Sequence, residues 1–393
     1  MLFTTPQIVC DSCENGLNHR YVFVDIYQNV HISYHKKVGG HWQVFYRMKS
    51  SHWQNEERVT NTTADAKYPS ILVYSDSVFL VWHDYRVGGI SNIEIFFNSK
   101  PISGTSWDNE TRLTYTNSGG PGDNGYLPTI KQMRGKIYVV WYDYRDDPYS
   151  MNAQIYLKVR DSTWGPDVRI SNSPANAWYP SFDFRGDTLF AVWADSRNTN
   201  YNIYGNWGFG DNRITTNTSY YPDIATSGDK TLLVYVNSSL SPPQVFGKLY
   251  DGTFGVDFPI RYSGNSQQEP TVISDGNGGW IVAWSEDFGG DRDIFGVILD
   301  SLGNVKDSFR INIPGNQSRP CLFLDNYNYI HLAFVDYTVP VVPKIYYTKS
   351  LTPVNVEESK RRIADKHSKK LIKGGKILLG SYGIDGRRLS PEF

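Results

Sequence analysis

Three stretches of this 393-residue chain share one pattern: FLVWHDYR at 79–86, YVVWYDYR at 138–145 and FAVWADSR at 190–197. Each runs apolar and then reads Trp-x-Asp-x-Arg. Each is preceded by an aromatic or apolar residue and a proline: Tyr68-Pro69, Leu127-Pro128 and Tyr179-Pro180. Each is followed by a second alternating run, NIEIFF, AQIYLKV or YNIYGNW, and then by a turn and a run carrying arginine: TRLTY, VRISN and NRITT. Such repetition constrains the fold more than any single motif. A unit too small to bury both of its faces must stack on copies of itself.

Weaker copies extend the series. YYPDIATSGDKTLLVYVN begins one at Tyr220, QEPTVISDGNGGWIVAWSED another at Gln268, and SRPCLFLDNYNYIHLAFVD a third at Ser318. HRYVFVDIYQNVHISYHK has the same rhythm from His19, without the proline. That makes seven units, at a period of roughly 40–60 residues. Each reads as four short strands. The spacing predicts strand A from the proline, a tight polar turn such as DGNGG, strand B ending in the tryptophan motif, and then strands C and D. The expected fold is all-β: a seven-bladed β-propeller of four-stranded blades. An elongated solenoid or a set of sandwiches is the rival, but no unit reads as a polar cap.

The last unit has strands A, B and C (KIYYTKS, 344–350) but no strand D. PQIVCDS at 6–12 resembles the strand D run VRISNSP. Residues 6–11 are therefore expected to pair with strand C of the last blade, closing the ring and removing an open edge.

Net charge is −1, so nucleic acid is not expected as a partner, because phosphate binding needs a basic excess. No apolar run approaches the roughly 18 residues of a membrane span. The start, MLFTTPQIVC, lacks the basic and apolar segments of a signal peptide. Three cysteines make no disulfide framework. Cys10 and Cys13 form a C-x-x-C read as structural or incidental, with no second pair to complete a zinc site. Cys321 reads as a buried free thiol. SDGNGG lacks the spacing of a calcium loop, and no phosphate loop, zinc motif or nucleophile elbow occurs, so no metal and no cofactor are expected.

Residues at i, i+2 and i+4 of a strand face one side. Trp82, Asp84 and Arg86 should therefore project together, as should the triples at 141–145 and 193–197. The tryptophan would fill the gap between blades. Asp and Arg would lie where strand B opens into the B–C loop. Arginines recur in strand D at Arg58, Arg112, Arg169, Arg213, Arg261 and Arg310, which suggests charge-assisted pairing. A catalytic device is seldom needed in several copies, so the favoured reading of the motif is structural. The functional reading takes Asp84, Asp143, Asp195 and Glu286 as candidate catalytic carboxylates. It takes Arg86, Arg145 and Arg197, with the aromatics Tyr85, Tyr144 and Trp178, as candidate ligand-binding residues. Whether the four acids face the channel mouth unpaired or are tied to arginines discriminates the two.

Over about residues 6–350 the units resemble those of the sialidase-like, BNR-repeat β-propeller superfamily, in particular bacterial secreted and surface proteins with YP…VWxDxR…IY…W…RIS blades. Sialidases carry Asp-boxes, Ser-x-Asp-x-Gly-x-Thr-Trp, in the C–D turn. Here only the end of the box is present, in SSHW, SGTSW, DSTW and DGTF, ending at Trp53, Trp107, Trp164 and Phe254. The resemblance implies a tyrosine nucleophile with a glutamate partner, an acidic proton donor and three arginines for the enzymes. No motif places that set here. The expected organisation is a propeller over 1–350, a charged linker over 351–376 and a hairpin-like tail over 377–393. YGIDGRRL in the tail resembles a type IX secretion sorting domain, which implies an extracellular or cell-surface location. The leading expectation is a monomeric, non-catalytic binding or scaffold module for a glycan or surface protein. The alternative is a sialidase-like exo-glycosidase.

Overall fold

The computed structural model describes residues 1–16, 20–88, 92–116, 123–147 and 152–354. The linker and tail expected over 351–393 lie, from 355 onward, outside the described residues. Among the described residues the strands form seven blades, each an antiparallel sheet with strand A innermost. In the second blade these strands are Ala66–Tyr74, Ser77–Asp84, Asn92–Pro101 and Thr111–Arg112. The second and third blades also touch through a short parallel ladder, Asp123–Asn124 on Asn92–Ile93.

The ring closes as the sequence predicts. Gln7–Asp11 pairs antiparallel with Lys344–Lys349, strand C of the last blade, in the register Gln7↔Tyr347 to Asp11↔Lys344. Within three residues the chain then crosses to the first blade, where Cys13–Glu14 pairs with Val30–Val38. The C-x-x-C takes its structural reading: Cys10 and Cys13 are joined as a disulfide, stapling the closing strand to the first blade, a single bridge the sequence did not single out. Sequence spacing alone could not choose between a staple and two thiols; the crossing brings them together. Cys321 is a buried free thiol.

The core is a set of wedges between neighbouring blades. Trp82 packs with Val44 and Tyr46 of the first blade. Trp141 packs with Val81 and Ile95 of the second, and Trp193 with Val140 and Ile155 of the third. All three indoles are fully buried. Each motif tryptophan thus fills the gap toward the preceding blade, as the alternation of strand side chains requires.

Strand A does not start at the proline. In the second blade Lys67 pairs with His83 and Ser70 with Val81, so Tyr68 and Pro69 together oppose Trp82 alone. The same two-against-one step recurs in the next five blades, opposite Trp141, Trp193, Tyr235, Trp284 and Phe334. These are β-bulges, which tolerate proline because the extra residue leaves the ladder. The residue before each proline has positive φ: Tyr68 54°, Leu127 48°, Tyr179 54°, Tyr221 51°, Glu269 54° and Arg319 55°. A bulge re-aims a side chain. Here it turns Tyr68, Tyr179, Tyr221, Glu269 and Arg319 toward the channel mouth.

Candidate functional site at the channel mouth

The start of each strand A pairs with the end of strand B, as Ala66 pairs with Asp84. The bulges therefore lie at the end of the ring where the tryptophan motifs terminate. Successive bulge residues meet around the axis. The rings of Tyr179 and Tyr221 are 5.0 Å apart, and Arg319 Nε lies 3.8 Å from Glu269 Oε1. The first blade has no proline, and Asn15-Gly16 takes that place. Asn15 Nδ2 donates to the carbonyls of Ser33 and Pro69, at 3.0 and 3.1 Å, tying the first blade to the second. A side chain on Gly16 would run into the Tyr68 ring, so glycine is what lets that tyrosine lie at the mouth.

One side of the mouth is charged. Arg319 of the last blade lies between two glutamates: Nη1 is 3.4 Å from Glu14 Oε2, and its backbone N–H donates to Glu269 Oε2 at 2.9 Å. Nη1 also donates to the Asn15 carbonyl at 2.6 Å. Tyr337 Oη donates to Glu14 Oε2 at 2.8 Å, and the Arg319 guanidinium sits 5.1 Å above the Tyr337 ring. His35 accepts the Tyr68 backbone N–H at Nδ1, so Nε2 carries its proton and points at Glu14 Oε1, 3.6 Å away. That distance is electrostatic contact rather than a hydrogen bond. Beside this cluster opens a pocket of about 440 Å³ lined by Glu269, Arg292, Asn316, Ser318, Arg319, Tyr337 and Pro340.

Burial alone would raise the Glu14 carboxyl. His35, the Tyr337 hydroxyl and Arg319 outweigh it and hold Glu14 down at about 2. Burial pushes the Tyr337 phenol up, and Glu14 adds to that, so Tyr337 stays a proton donor. His35 is drawn below the ordinary imidazole range by burial, with Glu14 opposing.

The opposite side is aromatic. His83, buried behind Tyr68, meets the rings of Tyr68, Tyr85 and Tyr126 edge-on at 4.9, 5.5 and 5.5 Å. Tyr126 stacks on Tyr142 at 5.3 Å, and both meet Tyr144 at 6.0 Å. Trp178 stacks on Tyr201 at 5.4 Å, and Tyr201 meets Tyr220 at 5.0 Å. An arc of ring faces and edges thus runs over the second to fifth blades.

The four carboxylates singled out in the sequence lie elsewhere. Asp84, Asp143, Asp195 and Glu286 are fully buried, and each accepts the indole N–H of its own motif tryptophan at 2.9 Å. Arg86, Arg145 and Arg197 close on Asp84, Asp143 and Asp195 at 2.7, 2.6 and 2.7 Å. Arg86 and Arg145 reach outward through Nη1 to Glu110 and Asp167, and Arg197 shares its Nη2 between Asp195 and Asp211. Glu286 is 3.3 Å from Arg261. Burial raises the Asp143 carboxyl, with Arg145 opposing. All four acids are therefore tied to arginines. Of the three aromatics, Tyr85 and Trp178 are half-buried in the arc, and Tyr144 is buried there. Glu14, His35, Glu269, Arg319 and Tyr337 escaped sequence reasoning. A signal for two of them was present: the residue before the strand A proline is aromatic or apolar in four blades, and Glu269 and Arg319 break that series.

No protein-family model matches the chain, and no curated protein matches it by sequence. Solved structures match its fold. An α-L-arabinanase of Penicillium chrysogenum complexed with arabinobiose superposes with a TM-score of 0.53 at 12% identity, over 89% of this chain and 98% of that one. A mutant α-L-arabinofuranosidase of Fusarium graminearum in complex with an iminosugar inhibitor gives 0.53 at 12% identity, over 89% and 97%. A Trypanosoma rangeli sialidase mutant displaying trans-sialidase activity gives 0.50 at 9% identity, over 81% of this chain. This chain spans 59% of that sialidase's length. The fold is thus that of sialidase-like and arabinofuranosidase-like propellers.

Proposed function

We propose that the protein recognises the terminal residues of a glycan at the mouth of its channel, outside the cytoplasm. One observation carries the reading: two glutamates, an arginine and a tyrosine converge on one side of the mouth and face an arc of aromatic rings. Carboxylates and a guanidinium bind paired sugar hydroxyls through charge-assisted hydrogen bonds. Aromatic faces pack against the apolar faces of the sugar ring. The Cys10–Cys13 disulfide favours an oxidising compartment. Among the described residues no helix is long and apolar enough to cross a membrane.

The Glu14–Tyr337 pair supports a second reading, exo-acting hydrolysis. A tyrosine hydrogen-bonded to a glutamate beside an arginine is the pairing that the sialidase resemblance implies for a nucleophile. Glu269, on the far side of Arg319, is then the second carboxyl that glycoside cleavage needs. With its carboxyl held near 2, Glu14 is a poor base at neutral pH and a good anion for stabilising positive charge. The neighbours are glycosidases, but at 9–12% identity that likeness carries the fold alone, so this reading rests on the residues.

A glycan array probed with the full chain tests recognition, and a fluorogenic panel of α-L-arabinofuranosides and α-sialosides tests turnover. Binding that is lost in Glu14→Gln, without turnover, supports recognition alone. Turnover lost in Tyr337→Phe makes the site hydrolytic. No binding and no turnover by folded protein contradicts both.

A further inference from the structure

Behind the mouth, the axial channel holds a second cavity of about 270 Å³, walled by strand A residues from all seven blades. Its walls are largely apolar, with Phe23, Leu72 and Phe323 among them, and three charged side chains enter it: Arg20, Lys131 and Asp183. We propose that this cavity binds a small oxyanion, phosphate, sulfate or a simple carboxylate, between Arg20 and Lys131.

The charges there are unevenly paired. Lys131 Nζ donates to Asp183 Oδ1 at 2.6 Å, and the other Asp183 oxygen accepts the Thr226 backbone N–H at 2.7 Å. Asp223, the next acid along the channel, accepts from the Ser181 and Thr271 hydroxyls and the Val272 backbone N–H. Both acids are therefore engaged. The carbonyl of Arg20 accepts from Ile71 N–H at 2.9 Å. Among the described residues no hydrogen bond or ion pair reaches its guanidinium. Lys131 likewise has one acceptor for three N–H groups.

Two cations thus share one directly paired carboxylate, Asp183, with Asp223 farther along the channel and already taken up by hydroxyl and backbone donors. Burial first, and Arg20 second, draw Lys131 down to about 8 against the pull of Asp183 and Asp223, so the two cations repel each other. An anion between them removes that repulsion. The planar fork of an arginine and the point charge of a lysine together suit an oxyanion, which the guanidinium can grip with two parallel hydrogen bonds. The volume lies below the roughly 300 Å³ at which organic-ligand pockets begin, which fits an ion with a few waters rather than a sugar chain. This site is independent of the mouth and does not rest on the glycan reading.

Isothermal titration of the full chain with sodium phosphate, sodium sulfate and sodium acetate, at an ionic strength fixed with sodium chloride, tests the proposal. The expected result is saturable one-site binding of at least one of the three. Preference for phosphate and sulfate identifies a tetrahedral anion, and preference for acetate a carboxylate. Arg20→Gln is expected to weaken binding at least about tenfold while leaving the melting temperature in anion-free buffer unchanged. Arg20→Lys, which keeps the charge, should retain part of the affinity and serves if the glutamine variant folds poorly. No saturable binding by wild type, or equal affinity in a folded Arg20→Gln, overturns the proposal.

Discussion

The indole N–H of Trp141 donates to Asp143 Oδ2 at 2.9 Å, and Arg145 Nη2 closes on the same oxygen at 2.6 Å. Both links repeat at Trp82-Asp84-Arg86 and at Trp193-Asp195-Arg197. The triple is a clasp: it satisfies the one polar atom of a buried indole and neutralises the buried carboxylate that does so. Trp141→Ala should cost about 3–5 kcal/mol in chemical denaturation, the range for emptying a large aromatic site. Asp143→Asn keeps an acceptor and leaves Arg145 paired with Asp167, and should cost less than the tryptophan variant. Wild-type stability for Trp141→Ala would contradict the assignment of the motif to the blade interface.

Ring closure depends on the first eleven residues. Deleting residues 1–12 removes the ladder on Lys344–Lys349 together with the Cys10–Cys13 staple. Hydrogen exchange should accelerate most over 317–349 and least in the fourth blade, farthest around the ring. Uniform loss of protection would show instead that the ring unfolds as one unit.

Gly16 makes room for the Tyr68 ring at the mouth. Gly16→Ala should displace Tyr68 and weaken glycan binding by an order of magnitude or more, with global stability lowered by about 1 kcal/mol. Unchanged affinity would place the ligand away from the first and second blades.

Glu14 titrates at about 2 in the folded protein, below its ordinary range. A depressed carboxylate contributes stability above its unfolded pKa of about 4.3, and that stability is lost as pH falls through the folded value. The shift corresponds to no more than about 3 kcal/mol. Glu14→Gln should therefore be less stable than wild type at pH 7, and the gap should close between about pH 4.5 and pH 2. A gap independent of pH over that window would contradict the ion-pair account of Glu14.

The fold was legible because it is periodic. Trp82, Trp141 and Trp193 mark the same place in three blades, and the missing strand D of the last unit pointed to residues 6–11. The start of strand A was not legible. Proline at a first strand position and proline at a bulge leave the same trace in a sequence, and only the pairing of Lys67 with His83 separates them. The mouth was legible on its aromatic side, where Tyr85, Tyr144 and Trp178 belong to repeats. Its charged side was not. Glu14 precedes the first unit, while Glu269, Arg319 and Tyr337 come from the sixth and seventh. Ring closure alone brings residues about 300 positions apart into one cluster. Departure from the repeat, at Glu269-Pro270 and Arg319-Pro320, was the trace they left.

The most direct test titrates the full chain with an arabinan oligosaccharide and with sialyllactose, using wild type, Glu14→Gln, Arg319→Gln and Phe209→Ala. Phe209 is exposed on a C–D turn remote from the mouth and serves as the control. The account predicts saturable binding of at least one sugar by wild type and Phe209→Ala, and at least tenfold weaker binding by both mouth variants. Binding untouched by Glu14→Gln and Arg319→Gln, or no binding of either sugar by folded protein, would contradict it.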